Sequence, residues 1–113
     1  MSKKVRFIEQ SEHSECGITS VTMLLNYFGI KVSLNSLRDK YGVPKGGNTL
    51  FHLKKIIQDY GIETSGYKVE KLDFFKENNR PCILFWDNRH YVVFEKITFN
   101  KVIIVDPAQG RKK

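Results

Sequence analysis

The sequence predicts an α+β protein, with helices in the first half of the chain and an antiparallel β-sheet in the second. Up to Gly61, apolar residues recur at helical spacing between capping residues and glycine stops. After Pro81, three β-rich runs are separated by turn residues. A length of 113 residues with 41% hydrophobic content suits one compact domain with a modest core.

The first helix is expected from about Cys16, capped by Ser14, with Ile18, Val21, Leu24, Leu25 and Phe28 facing inward and Gly29 closing it in the left-handed conformation. Ser33 caps a second helix, "LNSLRDKY", that Gly42 stops, and "GVPKGGN" reads as a loop because proline and paired glycines punctuate the backbone. Thr49 opens a third helix, "LFHLKKIIQDY", closed by Gly61. Its Leu50, Leu53, Ile56, Ile57 and Tyr60 share a face, while Lys54, Lys55 and Asp59 point to water. Beyond it "TSGYKV" reads as an edge strand and "KLDFFKEN" as a short helix, followed by the strands "CILFW", "HYVVFEKI" and "VIIVD".

The formal net charge of +7 admits nucleic acid, an anionic membrane surface or an acidic partner. The lysines (Lys3, Lys4, Lys54, Lys55, Lys68, Lys71, Lys101, Lys112, Lys113) are spread out, and no RNP-like or zinc-finger signature occurs, so no nucleic-acid partner is expected. Two distant cysteines give neither a disulfide framework nor a zinc site, and a reducing, cytosolic setting fits them. No secretory signal and no apolar run long enough for a membrane span is present. No phosphate loop occurs, and no metal or organic cofactor is implied.

The chemistry concentrates in "EQSEHSECGITSVTMLLNYFG". A cysteine lies where a polar lead-in turns into an apolar helix, six residues after Gln10. A thiol in the first turn of a helix faces unpaired backbone N–H groups, whose partial positive charge favours thiolate; position marks Cys16 as a nucleophile. Gly17 would leave room for a substrate backbone beside the sulfur. Cys82, inside "PCILFW", reads as a core residue. Of the three histidines, His13 is close to Cys16 in the chain, His52 lies at the boundary of the third helix, and His90 opens a strand. Trp86 either shields the His90 imidazole or packs in the core.

The hairpin after His90 can be counted. A three-residue loop, Thr98, Phe99 and Asn100, sets Ile97 against Lys101 and Val92 against Asp106. His90 and Asp106 then lie on one face as diagonal neighbours, about 7–8 Å apart at the backbone. A two-residue loop would send them to opposite faces. In the first register Asp106 accepts a hydrogen bond from one imidazole nitrogen and leaves the other for Cys16, the logic of a nucleophile, base and orienter. The Gln10 amide and the Cys16 backbone N–H would donate to the oxyanion.

This order of residues resembles the papain-like cysteine proteases. The segments "QSEHSECGITSVTMLLNYFG", "VSLNSLRDKYGVPKGGNTLFHLKKIIQDYGI", "PCILFWDNRHYVVFEKI" and "VDPAQGRK" are similar, in order and over nearly the whole chain, to the bacteriocin-processing, double-glycine leader peptidases, the N-terminal peptidase domain of peptidase-containing ABC transporters. The resemblance implies a papain-like fold and a single peptidase domain over residues 1–113, with the transporter's membrane and ATPase domains absent and an ending that leaves the family's last strand in question. It implies Cys16 as nucleophile, His90 as general base, Asp106 as orienting carboxylate and Gln10 as oxyanion donor. Glu15 stands where many members have Asp.

The implied reaction is cleavage of a bacteriocin or lantibiotic-type precursor after a Gly-Gly, Gly-Ala or Gly-Ser pair, with export by the attached transporter. The implied partners are the precursor, whose amphipathic leader helix docks in an apolar groove, and the transporter's membrane and nucleotide-binding domains. The implied location is the cytoplasmic face of the bacterial membrane. A noncatalytic leader-binding module is the alternative, and a papain-like hydrolase or acyltransferase with an unrelated substrate is a third reading.

Overall fold

The computed structural model describes residues 3–86 and 90–112. Helices α1 (Cys16–Tyr27), α2 (Leu34–Tyr41), α3 (Leu50–Asp59) and α4 (Asp73–Glu77) precede the strands β1 (Cys82–Trp86), β2 (His90–Thr98), β3 (Lys101–Asp106) and β4 (Gly110–Lys112). The strands form one antiparallel sheet in the order β1-β2-β3-β4. Gly110–Lys112, an element the sequence pattern does not announce, pairs with β3. Asp87, Asn88, Arg89 and Lys113 lie outside the described residues.

Helix α1 is the central element, buried from Cys16 through Leu25. Ile18, Val21 and Leu25 pack against Leu37 of α2, Leu53, Ile56 and Ile57 of α3, and Tyr91 of β2. Met23 meets Val5, Val93 and Val105, joining the N-terminal segment and the sheet to the same helix. A separate cluster of Phe75, Phe94 and Ile97 joins α4 to β2, with the Phe75 and Phe94 rings stacked at 4.4 Å between centroids.

The local signals at α2 and α3 act as expected. Ser33 accepts from the Ser36 N–H and Thr49 from the His52 N–H, each satisfying an orphan donor of the first turn. At the α1 start the expectation fails. Ser14 is no cap; it lies inside a 3-10 turn, His13–Glu15, that leads directly into α1. Phe28 and Leu50 are exposed rather than inward, because each sits at a helix end beyond the packed stripe. The segment "TSGYKV" forms no strand, as it finds no partner ladder among the described residues.

The hairpin register departs from the expected one in an instructive way. Thr98 opposes Lys101 and Ile97 opposes Val102, so the loop is the two residues Phe99 and Asn100, both with positive φ (50° and 64°), as a type I′ turn requires. Ile97 is therefore not opposite Lys101. A β-bulge between Phe94 and Lys96 then adds one residue to β2, and beyond it Phe94 opposes Ile104 and Val93 opposes Val105. Continued one step, this sets Val92 against Asp106. The extra residue of the bulge replaces the third loop residue, and His90 and Asp106 share a face.

The bulged residue, Glu95, is buried at 3% exposure. It accepts from the Val5 N–H at 2.7 Å and from Arg111 Nη2 at 2.8 Å and Nε at 3.2 Å, while Arg111 also donates to the Val5 carbonyl. One ion pair thus clamps both backbone groups of Val5 to the sheet.

Candidate active site

Cys16 is the first residue of α1 and is buried. Its Sγ accepts from the Tyr91 N–H at 3.5 Å, which sets the thiol beside the peptide joining His90 to Tyr91. Helix α1 can sit this close to β2 and α3 because the next residue is glycine. A Cβ at Gly17 would meet Leu53 and Tyr91 side-chain carbons at 3.2 Å. Gly17 therefore serves helix packing, not the approach of a substrate backbone.

His90 Nε2 and Asp106 Oδ1 are 2.8 Å apart, the contact that the bulged register makes available. The same Asp106 oxygen accepts from the Ala108 N–H at 2.8 Å, which holds the carboxylate in the turn between β3 and β4. With Nε2 on Asp106, the second ring nitrogen, Nδ1, is left for other chemistry. Trp86 stands opposite His90 in the ladder and is exposed, which excludes the core role for it. His13 lies in the 3-10 turn, and His52 is exposed on α3.

Gln10 is tied to the same end of the sheet, its backbone N–H donating to the Pro107 carbonyl at 2.9 Å. Its Nε2 donates to the Glu12 carbonyl at 3.1 Å, which occupies one of the two amide hydrogens. The lead-in from Gln10 to Cys16 is held from inside by Glu15, at 4% exposure. One Glu15 oxygen accepts from the Ser11 and Glu12 N–H groups, and the other from Arg38 Nε of α2. The hydrogen bond from Arg38 is the main cause that holds the Glu15 carboxyl below its ordinary value, against the opposing effect of burial. A shared charge sign with Asp is thus only part of what Glu15 supplies. The glutamate three residues after Glu12, in capping-box spacing, is the sequence signal for this role.

An open cleft of about 730 Å³ runs past Cys16. Its wall includes Ser14, Gly46, Gly47, Asn48, Leu50 and Tyr91; Gln10, His90 and Asp106 lie outside it. Phe85, stacked on Tyr91 at 4.6 Å between centroids, adds an aromatic side. The loop residues Gly46, Gly47 and Asn48 have no functional signal in the sequence beyond turn chemistry, and only the folded chain brings them to the thiol. The second cysteine, Cys82, packs beside the cluster of Phe75, Phe94 and Ile97, and burial pushes its thiol up to about 11. The described residues contain no group of three or more His, Cys, Asp or Glu able to hold a metal, and no helix long and apolar enough to cross a membrane.

Residues 4–113 match the model of the Peptidase C39 family. The chain is 34% identical to the colicin V secretion/processing ATP-binding protein CvaB of Escherichia coli, over 96% of this chain and 15% of that one. It is 26% identical to the lactococcin-G-processing and transport ATP-binding protein LagD of Lactococcus lactis subsp. lactis, over 94% of this chain and 16% of that one. It thus spans about one sixth of the length of these relatives. Among solved structures, a double glycine motif protease from an AMS/PCAT transporter in complex with the leader peptide superposes with a TM-score of 0.88 at 33% identity, covering 100% of this chain and 82% of that one. The peptidase domain of Streptococcus ComA gives 0.79 at 21% identity, covering 96% and 86%, and shares the fold. The α+β, papain-like architecture expected from the sequence is the one observed.

Proposed function

We propose, from the premise that this chain belongs to the peptidase C39 family, that it is a cysteine endopeptidase removing the leader of a bacteriocin-type precursor after a Gly-Gly, Gly-Ala or Gly-Ser pair. The observation that carries the proposal is the pairing of two contacts on adjacent residues. His90 bonds Asp106 at 2.8 Å, and the Tyr91 N–H lies 3.5 Å from the Cys16 sulfur.

In this reading Asp106 fixes the His90 tautomer with its proton on Nε2, so Nδ1 takes the Cys16 proton. The thiolate attacks the carbonyl of the second small residue. The oxyanion that forms is met by the Cys16 N–H and the second Nε2 hydrogen of Gln10; one such donor is worth roughly 2.7–4 kcal/mol in comparable sites. His90 returns the proton to the leaving amine, a thioester remains on Cys16, and water releases the leader acid by the reverse steps. Small residues before the scissile bond suit a cleft whose wall at Gly46 and Gly47 is bare.

The leader would dock as an amphipathic helix on apolar surface, for which the exposed Phe51 and Trp86 are available. The solved relative bound to its leader supports a peptide partner of this kind. The processing and transport relatives support a link to export by an ABC transporter, and in this reading the domain would act at the inner face of the membrane. Within this reading residues 1–113 act as one peptidase domain.

Mass spectrometry of a synthetic double-glycine leader peptide, incubated with the chain and with Cys16→Ala, tests the proposal. Cleavage after the second small residue is expected, and the substitution should abolish it. A peptide that binds tightly and stays intact would overturn the peptidase reading in favour of a noncatalytic binding module.

A further inference from the structure

We propose that a basic cleft at the C-terminal end of α1 is a docking surface for a lipid bilayer that carries anionic phospholipid headgroups. The open cleft, of about 820 Å³, is lined by Lys3, Lys4, Arg6 and Lys31, and by no acidic residue. Lys4, Arg6 and Lys31 are exposed, and none has an ion-pair partner among the described residues. Tyr27, the last residue of α1, also lines it, whereas Cys16 is the first; a helix of 12 residues puts about 17 Å between the two ends. The site is thus separate from the thiol.

The fold holds these cations together. Val5, between Lys4 and Arg6, is pinned to the sheet by Glu95 and Arg111, so both neighbours stay at the cleft. Lys3 donates to the Tyr27 carbonyl, and its ammonium lies 4.7 Å from the centroid of the Tyr27 ring. Gly29, at φ 88°, turns the chain out of α1, and the Val32 N–H donates to Asn26 Oδ1 at 3.2 Å, which fixes the loop that carries Lys31. The first turn of α2 borders the cleft through Ser33 and Ser36 and adds the positive end of its dipole. Phe28, 49% exposed, packs edge-on against Tyr27 at 5.3 Å between centroids, so an apolar ring stands beside the cations. Basic side chains next to an exposed aromatic match the two layers of a bilayer surface, phosphate outside and hydrocarbon beneath. An acidic polymer answers the cations but offers the ring no hydrocarbon. Docked by this end of α1, the domain keeps the Cys16 cleft open to a peptide. The inference extends the reading that the domain acts at the inner face of the membrane and does not depend on cleavage.

Sedimentation of the chain with vesicles of phosphatidylglycerol and phosphatidylcholine in equal parts, against vesicles of phosphatidylcholine alone, tests the proposal. Binding is expected to the anionic vesicles only, and to weaken as salt screens the charges. A basic side chain near such a surface is worth about fivefold in partition, so the triple variant Lys4→Gln, Arg6→Gln, Lys31→Gln should bind about 100-fold more weakly. A control that removes the same charge from other elements, Lys54→Gln, Lys71→Gln, Lys101→Gln, should lose less than about tenfold, because charges beyond a Debye length of the surface are screened. Phe28→Ser, which leaves the charge unchanged, should lose about fivefold through its apolar area. Circular dichroism checks that each variant is folded. No preference for the anionic vesicles, or an equal loss in the two triple variants, would overturn the inference. A loss in the first triple variant with none in Phe28→Ser would also overturn the bilayer, in favour of an acidic polymer as partner. Vesicle binding without cleavage of a double-glycine peptide removes the peptidase reading and leaves this one; cleavage without vesicle binding does the reverse.

Discussion

Replacing Arg111 with methionine isolates the ion pair that anchors the β-bulge. The guanidinium holds Glu95, 3% exposed, at 2.8 and 3.2 Å, and the substitution keeps an apolar stem but leaves the carboxylate buried with Val5 N–H as its remaining partner. Breaking a buried pair from one side costs about 3–5 kcal/mol, and the retained Val5 bond places this case near the lower end, about 3 kcal/mol. At roughly 3–6 °C per kcal/mol, between the values for smaller and larger domains, Tm at pH 7 should fall by about 10–18 °C. Burial alone raises the Glu95 carboxyl, but the Arg111 hydrogen bonds, the Val5 N–H and the Arg111 charge outweigh it, and the folded value lies below 4.5. In the native chain, then, Glu95 contributes stability that is present above about pH 4.5 and is lost as pH falls through the lowered folded value. In Arg111→Met burial dominates and the folded value rises above the unfolded one. The penalty is then full at neutral pH and disappears as pH falls toward 4.5. Both effects shrink the difference between the two proteins on acidification. Urea unfolding followed by circular dichroism should give a ΔΔG at pH 4 less than half that at pH 7, and adding Glu95→Gln to Arg111→Met should recover much of the loss at pH 7. Equal differences at the two pH values, or a loss below about 0.5 kcal/mol at pH 7, the range of exposed pairs, would refute the reasoning.

Two further outcomes follow from the turn and the second thiol. Phe99 is 94% exposed and sits at φ 50°, where a bulky residue is strained. Phe99→Asn should raise stability by roughly 0.5–1 kcal/mol, read as a higher urea midpoint at unchanged m value. Cys82, with its thiol pushed up from 9.0 to about 11, should react with iodoacetamide near neutral pH about 100-fold more slowly in the native chain than after unfolding in urea. Peptide mapping after timed quenching reads the rate, and comparable labelling in both states would remove the buried placement.

The sequence by itself determined the features that short-range physics controls. Ser33 and Thr49 cap helices because a side-chain oxygen within three residues meets an orphan N–H, and Gly29, Gly42 and Gly61 close them at φ of 88°, 74° and 84° because no Cβ opposes that conformation. The same local logic put Cys16 at the mouth of α1, although the turn before it is built by Glu15 rather than capped by Ser14. The pairing of His90 with Asp106 is legible in the sequence only as one of two registers, and the three-residue loop that would produce it does not form. What selects the register is the bulge at Glu95, and that depends on Val5, 90 residues away in the chain, and Arg111, 16 residues away. Phe94 and Ile97, three apart, pack in one cluster, which an unbulged strand with its period of two does not allow. Asn48 was silent for a similar reason. Its loop reads as a turn, and it reaches the cleft beside Cys16 only where the folded chain brings the two together. Period, cap and stop act over a few residues and are written in them; register and the walls of a cleft depend on burial against distant segments, which only the folded chain supplies.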